Sequence, residues 1–279
     1  MACDRCACGA TNYYVGILPQ YHRSFVGVRY RNSMFETTGH EPGAVSQETF
    51  QSAEVWGRFY PTRRIQVLAF LPYQINRQSG GGSPDIEMHG LGDAAALGSF
   101  RLLDVSGEKL KHQWWAGAGL KMPTGTYNPG TSGVDNPNFQ RGTGSWDVLL
   151  NTQYTLRLDK WGLFTDLNYR INTVNSYEYK YGNRVGAVAS VFYIQDLAKD
   201  LAIMPNAGMY YENSAADKKY GYAQVETGGY MTAAQVGLDV YFLKNFAVQS
   251  WLLMPMSQDL QGGYSQAKTR WMVGLSYQF

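Results

Sequence analysis

The twelve residues WGLFTDLNYRIN, Trp161 to Asn172, set apolar and polar side chains in strict alternation. Leu163, Thr165, Leu167, Tyr169 and Ile171 fall on one side, and Asp166, Asn168, Arg170 and Asn172 on the other. A period of two marks a β-strand with one apolar and one polar face. Two architectures use such strands. A soluble sandwich turns the apolar face inward, whereas a membrane barrel turns it to lipid and lines its lumen with the polar face.

The pattern recurs from about residue 22 to the C-terminus. HRSFVGVRYRNSMF sets Arg29 and Arg31 against Val26, Val28 and Tyr30, and TFQSAEVWGRFY puts Glu54 and Arg58 on one face. LGDAAALGSFRLL opposes Asp93 and Arg101 to Phe100 and Leu102; HQWWAGAGLKM opposes Lys121 to Trp114 and Leu120. SWDVLLNTQYTLRL sets Asp147, Asn151, Gln153 and Arg157 against Val148, Leu150, Tyr154 and Leu156. RIQVLAFLPYQIN is apolar almost throughout, so its facing is ambiguous. VGAVASVFYI, LAIMPNAGMYYE, TAAQVGLDVYF, NFAVQSWLLMPM and TRWMVGLSYQF bring the set to about twelve, an even number normal for a bacterial outer-membrane barrel.

The connections give an independent criterion. PTR, DVSGEK, DK, QDLAKD and LKN are short, and they alternate with the longer TGHEPGAVSQ, NRQSGGGSPDIEMH, PTGTYNPGTSGVDNPNFQRGTG, SYEYKYGNR, NSAADKKYGYAQVETGG and SQDLQGGYSQAK. Membrane barrels have short periplasmic turns and longer outside loops, whereas Greek-key sandwiches do not sort loops by parity. The last segment, RWMVGLSYQF, places Trp271, Val273, Leu275, Tyr277 and Phe279 on one face, similar to the closing strand of bacterial outer-membrane proteins. The facing follows from cost: an arginine at mid-bilayer on the lipid side is worth about 2–4 kcal/mol of destabilisation. Strands with Arg or Asp at their centre therefore turn that side inward.

Composition agrees. Among 279 residues, 24 Lys plus Arg balance 22 Asp plus Glu, which leaves no electrostatic footprint for nucleic acid. Charged residues make up 16%, below the roughly 25% usual for soluble chains. No apolar run reaches the length of a transmembrane helix. MACDRCACG has neither a basic head nor an apolar segment, so the expectation for an exported chain is a mature form. The expected fold is all-β: a closed antiparallel transmembrane β-barrel of about twelve strands (residues 22–279), with polar lumen and apolar exterior, preceded by a Cys-bearing N-terminal segment (1–21) that hangs in the periplasm or forms a short plug.

The expected lumen lining is Arg29, Arg31, Glu54, Arg58, Asp93, Arg101, Lys121, Asp147, Arg157, Asp166, Arg170, Asp239 and Arg270. Charges of both signs in a narrow bore either form ion-pair networks that fill it or select an anionic or polar solute. Cys3, Cys6 and Cys8 suit a soft metal, copper or zinc, but equally one local disulfide with a spare thiol, or a lipid anchor. His22 and Ser24 share a strand face as in barrel phospholipases, yet they sit at the predicted periplasmic end without an acid partner, so no catalytic residue is assigned. GAGLKMPTG lacks the Gly-Lys-Ser/Thr of a phosphate loop.

GLGD, GLKMPTGTYNPG, QRGTGSWDVL, WGLFTDLNYRIN and the terminal GLSYQF together resemble outer-membrane barrels of the meta-pathway phenol-degradation family, distantly related to long-chain fatty-acid transporters. CDRCACG followed by YYVGILPQ resembles a version found in Bacteroidetes. The resemblance covers most of the chain and implies an outer-membrane channel or transporter. Fatty-acid transporters have fourteen strands and a substantial plug; here only about twenty residues precede the first strand. The resulting expectation is passive movement of a small hydrophobic or metal-linked solute across the bacterial outer membrane, with no chemical step. The alternative is an accessory barrel that anchors a periplasmic or surface protein partner through the Cys tail and loops. Outer-membrane lipid is the expected surrounding partner in both cases.

Overall fold

The computed structural model describes residues 23–39, 44–81, 85–107, 109–130 and 136–279. In chain order the strands are β1 (Phe25–Thr38), β2 (Val45–Thr62), β3 (Ile65–Gly80), β4 (Ile86–Leu91), β5 (Ala95–Ser106), β6 (Leu110–Lys121), β7 (Asp147–Leu158), β8 (Trp161–Ile171) and β9 (Tyr179–Lys180). They continue as β10 (Arg184–Tyr193), β11 (Gln195–Ala198), β12 (Leu201–Ser214), β13 (Lys218–Lys219), β14 (Tyr222–Ala223), β15 (Gly229–Phe242), β16 (Phe246–Leu260) and β17 (Ser265–Gln278). Each long strand pairs antiparallel with its neighbours around a ring, and β1 closes on β17, with Val28 opposite Leu275. This is a closed transmembrane β-barrel with twelve staves. Closure leaves no open edge, which is what allows a sheet to cross lipid.

The fourth stave is interrupted. β5 pairs the lower part of β3 and β4 its upper part, with Gly92–Ala94 between them. The stretch 76–89, expected as a loop, is therefore mostly a hairpin: β3 runs to Gly80, where Gly80 and Gly81 take positive φ to make the turn. Likewise SQDLQGGYSQAK is mostly strand, because β16 and β17 extend to a tight turn at 261–264. Loop parity survives both changes. The short-turn end holds 63–64, 159–160 and 243–245, while the long-loop end holds 122–146, 172–183 and 215–228.

Facing follows the sequence period. Along β8, Leu163, Leu167 and Tyr169 are exposed on the outside, while Phe164, Asp166 and Arg170 are buried inside. Val28, Val55, Leu71, Leu120, Leu150, Val236 and Leu275 continue the apolar exterior. Aromatic residues flank it, with Phe59, Trp161 and Phe279 towards the short turns and Tyr73, Trp146 and Tyr211 towards the long loops, as girdles at the two lipid–water boundaries would. Leu167→Arg is accordingly expected to cost about 2–4 kcal/mol in urea unfolding from liposomes. Asn168→Arg, one residue on and facing Asp166, should cost far less. Equal penalties would contradict the facing.

Candidate functional site

The inward face is a filled bore. Its polar part is organised in knots of opposite charge. In the first, the guanidinium of Arg29 donates to Glu54, and Arg31 Nη2 reaches Glu54 Oε2 at 3.0 Å. Arg29 also lies over the Trp56 ring at 4.5 Å. Register explains the meeting, because Arg29 stands directly opposite Glu54 across the β1–β2 ladder.

The second knot sits where the fourth stave breaks. Lys121 Nζ is 2.6 Å from Asp93 Oδ2 and 2.8 Å from Asp147 Oδ2, and all three side chains are wholly buried. Asp93 also accepts from the backbone N–H of Gly125 (3.0 Å) and Thr143 (2.9 Å). Asp147 Oδ1 accepts from Ser145 Oγ and from the Thr173 N–H. One ammonium thus fastens both feet of loop 122–146 to the wall. Inside that loop, Asn136 caps a 3₁₀ turn, Pro137–Phe139, by accepting from the Asn138 N–H. The turn carries Phe139 into the barrel, where its ring lies 5.3 Å from Phe50 and Asn76 Nδ2 donates to its carbonyl at 3.1 Å.

The third knot joins Arg270 to Glu212 at 2.9 Å, with Tyr210 Oη donating to Glu212 at 2.5 Å. Asp166 instead accepts from Asn151 and Gln153, each at 2.9 Å. Between these knots runs one apolar cluster that includes Phe164, Phe192 and Met204 near the short turns, and Tyr210, Met231, Leu253, Phe35, Phe50 and Phe139 towards the long loops. A second apolar cluster, with Phe25, Trp56, Leu68, Phe70 and Leu149, packs inside the wall on β1, β2, β3, β5 and β7, so the lumen is polar and apolar by turns.

The remaining expected lining residues fall as follows. Arg58 is buried with its guanidinium over Phe25 and Tyr60. Arg101 pairs with Asp104 at 2.7 Å and lies over Trp115. Arg157 donates to the Asp159 carbonyl at the barrel end, and Arg170 is buried on β8. Asp239 faces the interior opposite Gln249; neither amide atom of Gln249 nor Asp239 Oδ2 has a protein partner. Buried groups of this kind are satisfied by water or solute, so they mark wettable points of the bore. In LLMPM, Leu253 is buried while Met254 and Met256 are exposed. Cys3, Cys6, Cys8 and His22 lie outside the described residues, among which no group of three or more His, Cys, Asp or Glu could hold a metal ion. Ser24 accepts from the Tyr60 N–H at the short-turn end.

Sequence reasoning missed Glu212 and Phe139. The parity of LAIMPNAGMYYE could have placed Glu212 inward beside Tyr210, whereas nothing in a long loop marks which residue turns back. It also missed an anchor outside the barrel wall, Asp217 in loop 215–228. This carboxylate accepts from Tyr179 Oη at 2.5 Å and from the Gly182 N–H at 2.7 Å, tying two loops together. Burial pushes its pKa above the usual carboxylate value, against the lowering by these bonds and by Arg184 and Arg170. A carboxyl raised by folding adds stability below its unfolded pKa and loses it as pH rises through the folded one. The loop melting temperature, followed by tyrosine near-ultraviolet dichroism, should therefore fall as pH rises from about 4. Asp217→Asn should remove that slope; an unchanged slope would assign it to another group.

No protein-family model matches the sequence, and no curated protein matches it. Solved structures do. The COG4313 outer membrane channel from Pseudomonas putida F1 is similar at TM-score 0.66 and 16% identity, over 92% of this chain and 95% of that one. The β domain of the Bordetella autotransporter BrkA follows at 0.59 and 10%, covering 92% and 100%. The translocator domain of NalP from Neisseria meningitidis reaches 0.51 and 13%, covering 96% and 93%. At these identities the likeness shows the fold: a β-barrel of the outer-membrane class.

Proposed function

We propose that this chain is a channel of the bacterial outer membrane that passes a small, largely apolar solute by diffusion, with no chemical step. The apolar groups inside the barrel carry this reading, because a bore built only for ions would not line its wall with Phe, Met and Leu from end to end. The likeness to an outer membrane channel supports it, as does the sequence resemblance to the phenol-degradation barrels. Orientation follows from loop length, which puts the short turns in the periplasm and the long loops outside. The inward side chains are mostly buried, so the proposed path runs past loop 122–146 or out through the wall beside β4, whose strand partner among the described residues is β3.

Purified barrel in planar bilayers and in solute-loaded liposomes tests the proposal. Admission of apolar solutes such as alkylbenzenes ahead of sugars of similar size is the expected result. A barrel that stays shut to both favours the accessory role, in which loops and Cys tail hold a protein partner. The metal-linked form of the reading is tested separately, by copper(I) and zinc titration of the intact chain against a variant with Cys3, Cys6 and Cys8 all changed to Ser. Uptake confined to the parent chain is expected; equal uptake by both removes the metal.

A further inference from the structure

The three longest loops build a cavity of about 440 Å³ above the barrel. Tyrosine and proline supply one part of its lining. The Tyr127 ring stands 5.5 Å from Tyr177 and 6.5 Å from Tyr179, with Pro137 beside them. Loop 215–228 supplies the rest: Lys219, Gln224 and Glu226, with Tyr220 and Val225 beside them. The cavity lies within the size range of small-molecule sites, about 300–1,000 Å³.

Its parts are held rigidly. Tyr177 Oη donates to Asn128 Oδ1 at 3.2 Å and Tyr181 Oη to the Pro137 carbonyl at 2.8 Å, so loops 122–146 and 172–183 fix each other's rings. Strands β9, β13 and β14 form a small sheet, and the Tyr220 N–H donates to the Glu178 carbonyl at 2.9 Å. Glu178, Tyr220 and Glu226 all have positive φ, at 57°, 52° and 56°. Three non-glycine residues in the left-handed region within two neighbouring loops cost free energy, and such strain persists where surrounding contacts over-determine the shape and clusters at ligand sites.

From this geometry we propose that the cavity binds a neutral saccharide ring. A pyranose has an apolar face of C–H groups and a polar edge of hydroxyls that both donate and accept. Tyrosine rings match the face, while an ammonium, a carboxylate and a carboxamide in one lining match the edge. Other ligand classes fit less well. An apolar solute would strip water from Lys219 and Glu226 without replacing their bonds. A phosphate or other anion would meet the Glu226 carboxylate, and a cation would meet the Lys219 ammonium. The cavity shares loop 122–146 with the proposed channel path, but sugar binding is read without transport, so either assignment can fail without the other.

The test uses the full chain in detergent, with methyl glucoside, methyl galactoside, methyl mannoside and N-acetylglucosamine as probes, read by saturation-transfer NMR. At least one sugar should receive saturation through its ring C–H protons. Tyr127→Ala should weaken that binding about three- to tenfold, the worth of one lost aromatic contact. Lys219→Met, at an exposed position whose loss spares the fold, should weaken it too. Tyr177→Phe keeps the ring and should retain binding. A second arm with lipooligosaccharide in the same detergent tells a surface glycan from a free sugar. Failure of every probe in both arms, or binding by Tyr127→Ala and Lys219→Met as tight as by the parent chain, would overturn the proposal.

Discussion

Lys121→Met is expected to cost about 3–5 kcal/mol of unfolding free energy, because it leaves two buried carboxylates facing each other without their cation. Asp93 and Asp147 both contact the Lys121 ammonium, and all three are shut off from solvent. The loss should appear as a lower urea midpoint by tryptophan fluorescence and as cleavage within loop 122–146 by added protease, since both feet of that loop hang on this knot. Adding Asp93→Asn and Asp147→Asn to Lys121→Met should return much of the lost stability, because the penalty lies in the uncompensated charges rather than in the missing contact. A single variant within about 1 kcal/mol of the parent would show the knot to be dispensable.

In the channel proposed for this chain, Phe139→Ala is expected to act on permeation more than on stability. Its ring is fully buried against Phe50, but it arrives on a loop, and loops detach locally at less cost than the barrel unfolds. Truncation removes an aromatic plug from the widest group of inward apolar residues, so single-channel conductance and liposome uptake should rise severalfold while the urea midpoint moves little. Phe139→Leu, which keeps most of the volume, should stay near the parent. Unchanged conductance in Phe139→Ala would place the constriction elsewhere, with the Arg29–Glu54–Arg31 knot as the next position to open.

How much of this was legible beforehand varies by residue. Asp166 and Arg170 were placed inward from a dozen residues of sequence, because a period of two leaves no third side for a side chain to face. Lys121, Asp93 and Asp147 were each assigned inward, but nothing in the chain says that residues 28 and 26 positions apart share one proton-donating centre. That contact depends on the break at Gly92–Ala94 and on the path of loop 122–146. RIQVLAFLPYQIN had no readable facing, since both of its sides are apolar; register against β2 turns Gln66, Leu68, Phe70 and Gln74 inward. The tyrosine cavity could not be foreseen: SYEYKYGNR repeats Tyr177, Tyr179 and Tyr181 at every second residue, but nothing in it or in NSAADKKYGYAQ says that Tyr127 and loop 215–228 meet those rings.

The chain itself determined that strands form, about how many there are, which side of most of them meets lipid and which end carries the long loops. Those features follow from local sterics and from the cost of placing charge in hydrocarbon, and both act on a residue regardless of its distant neighbours. Closure decided the rest. Joining β1 to β17 and folding loop 122–146 back chose which inward groups meet, and encounters across so many intervening residues are set by shape rather than by spacing along the chain.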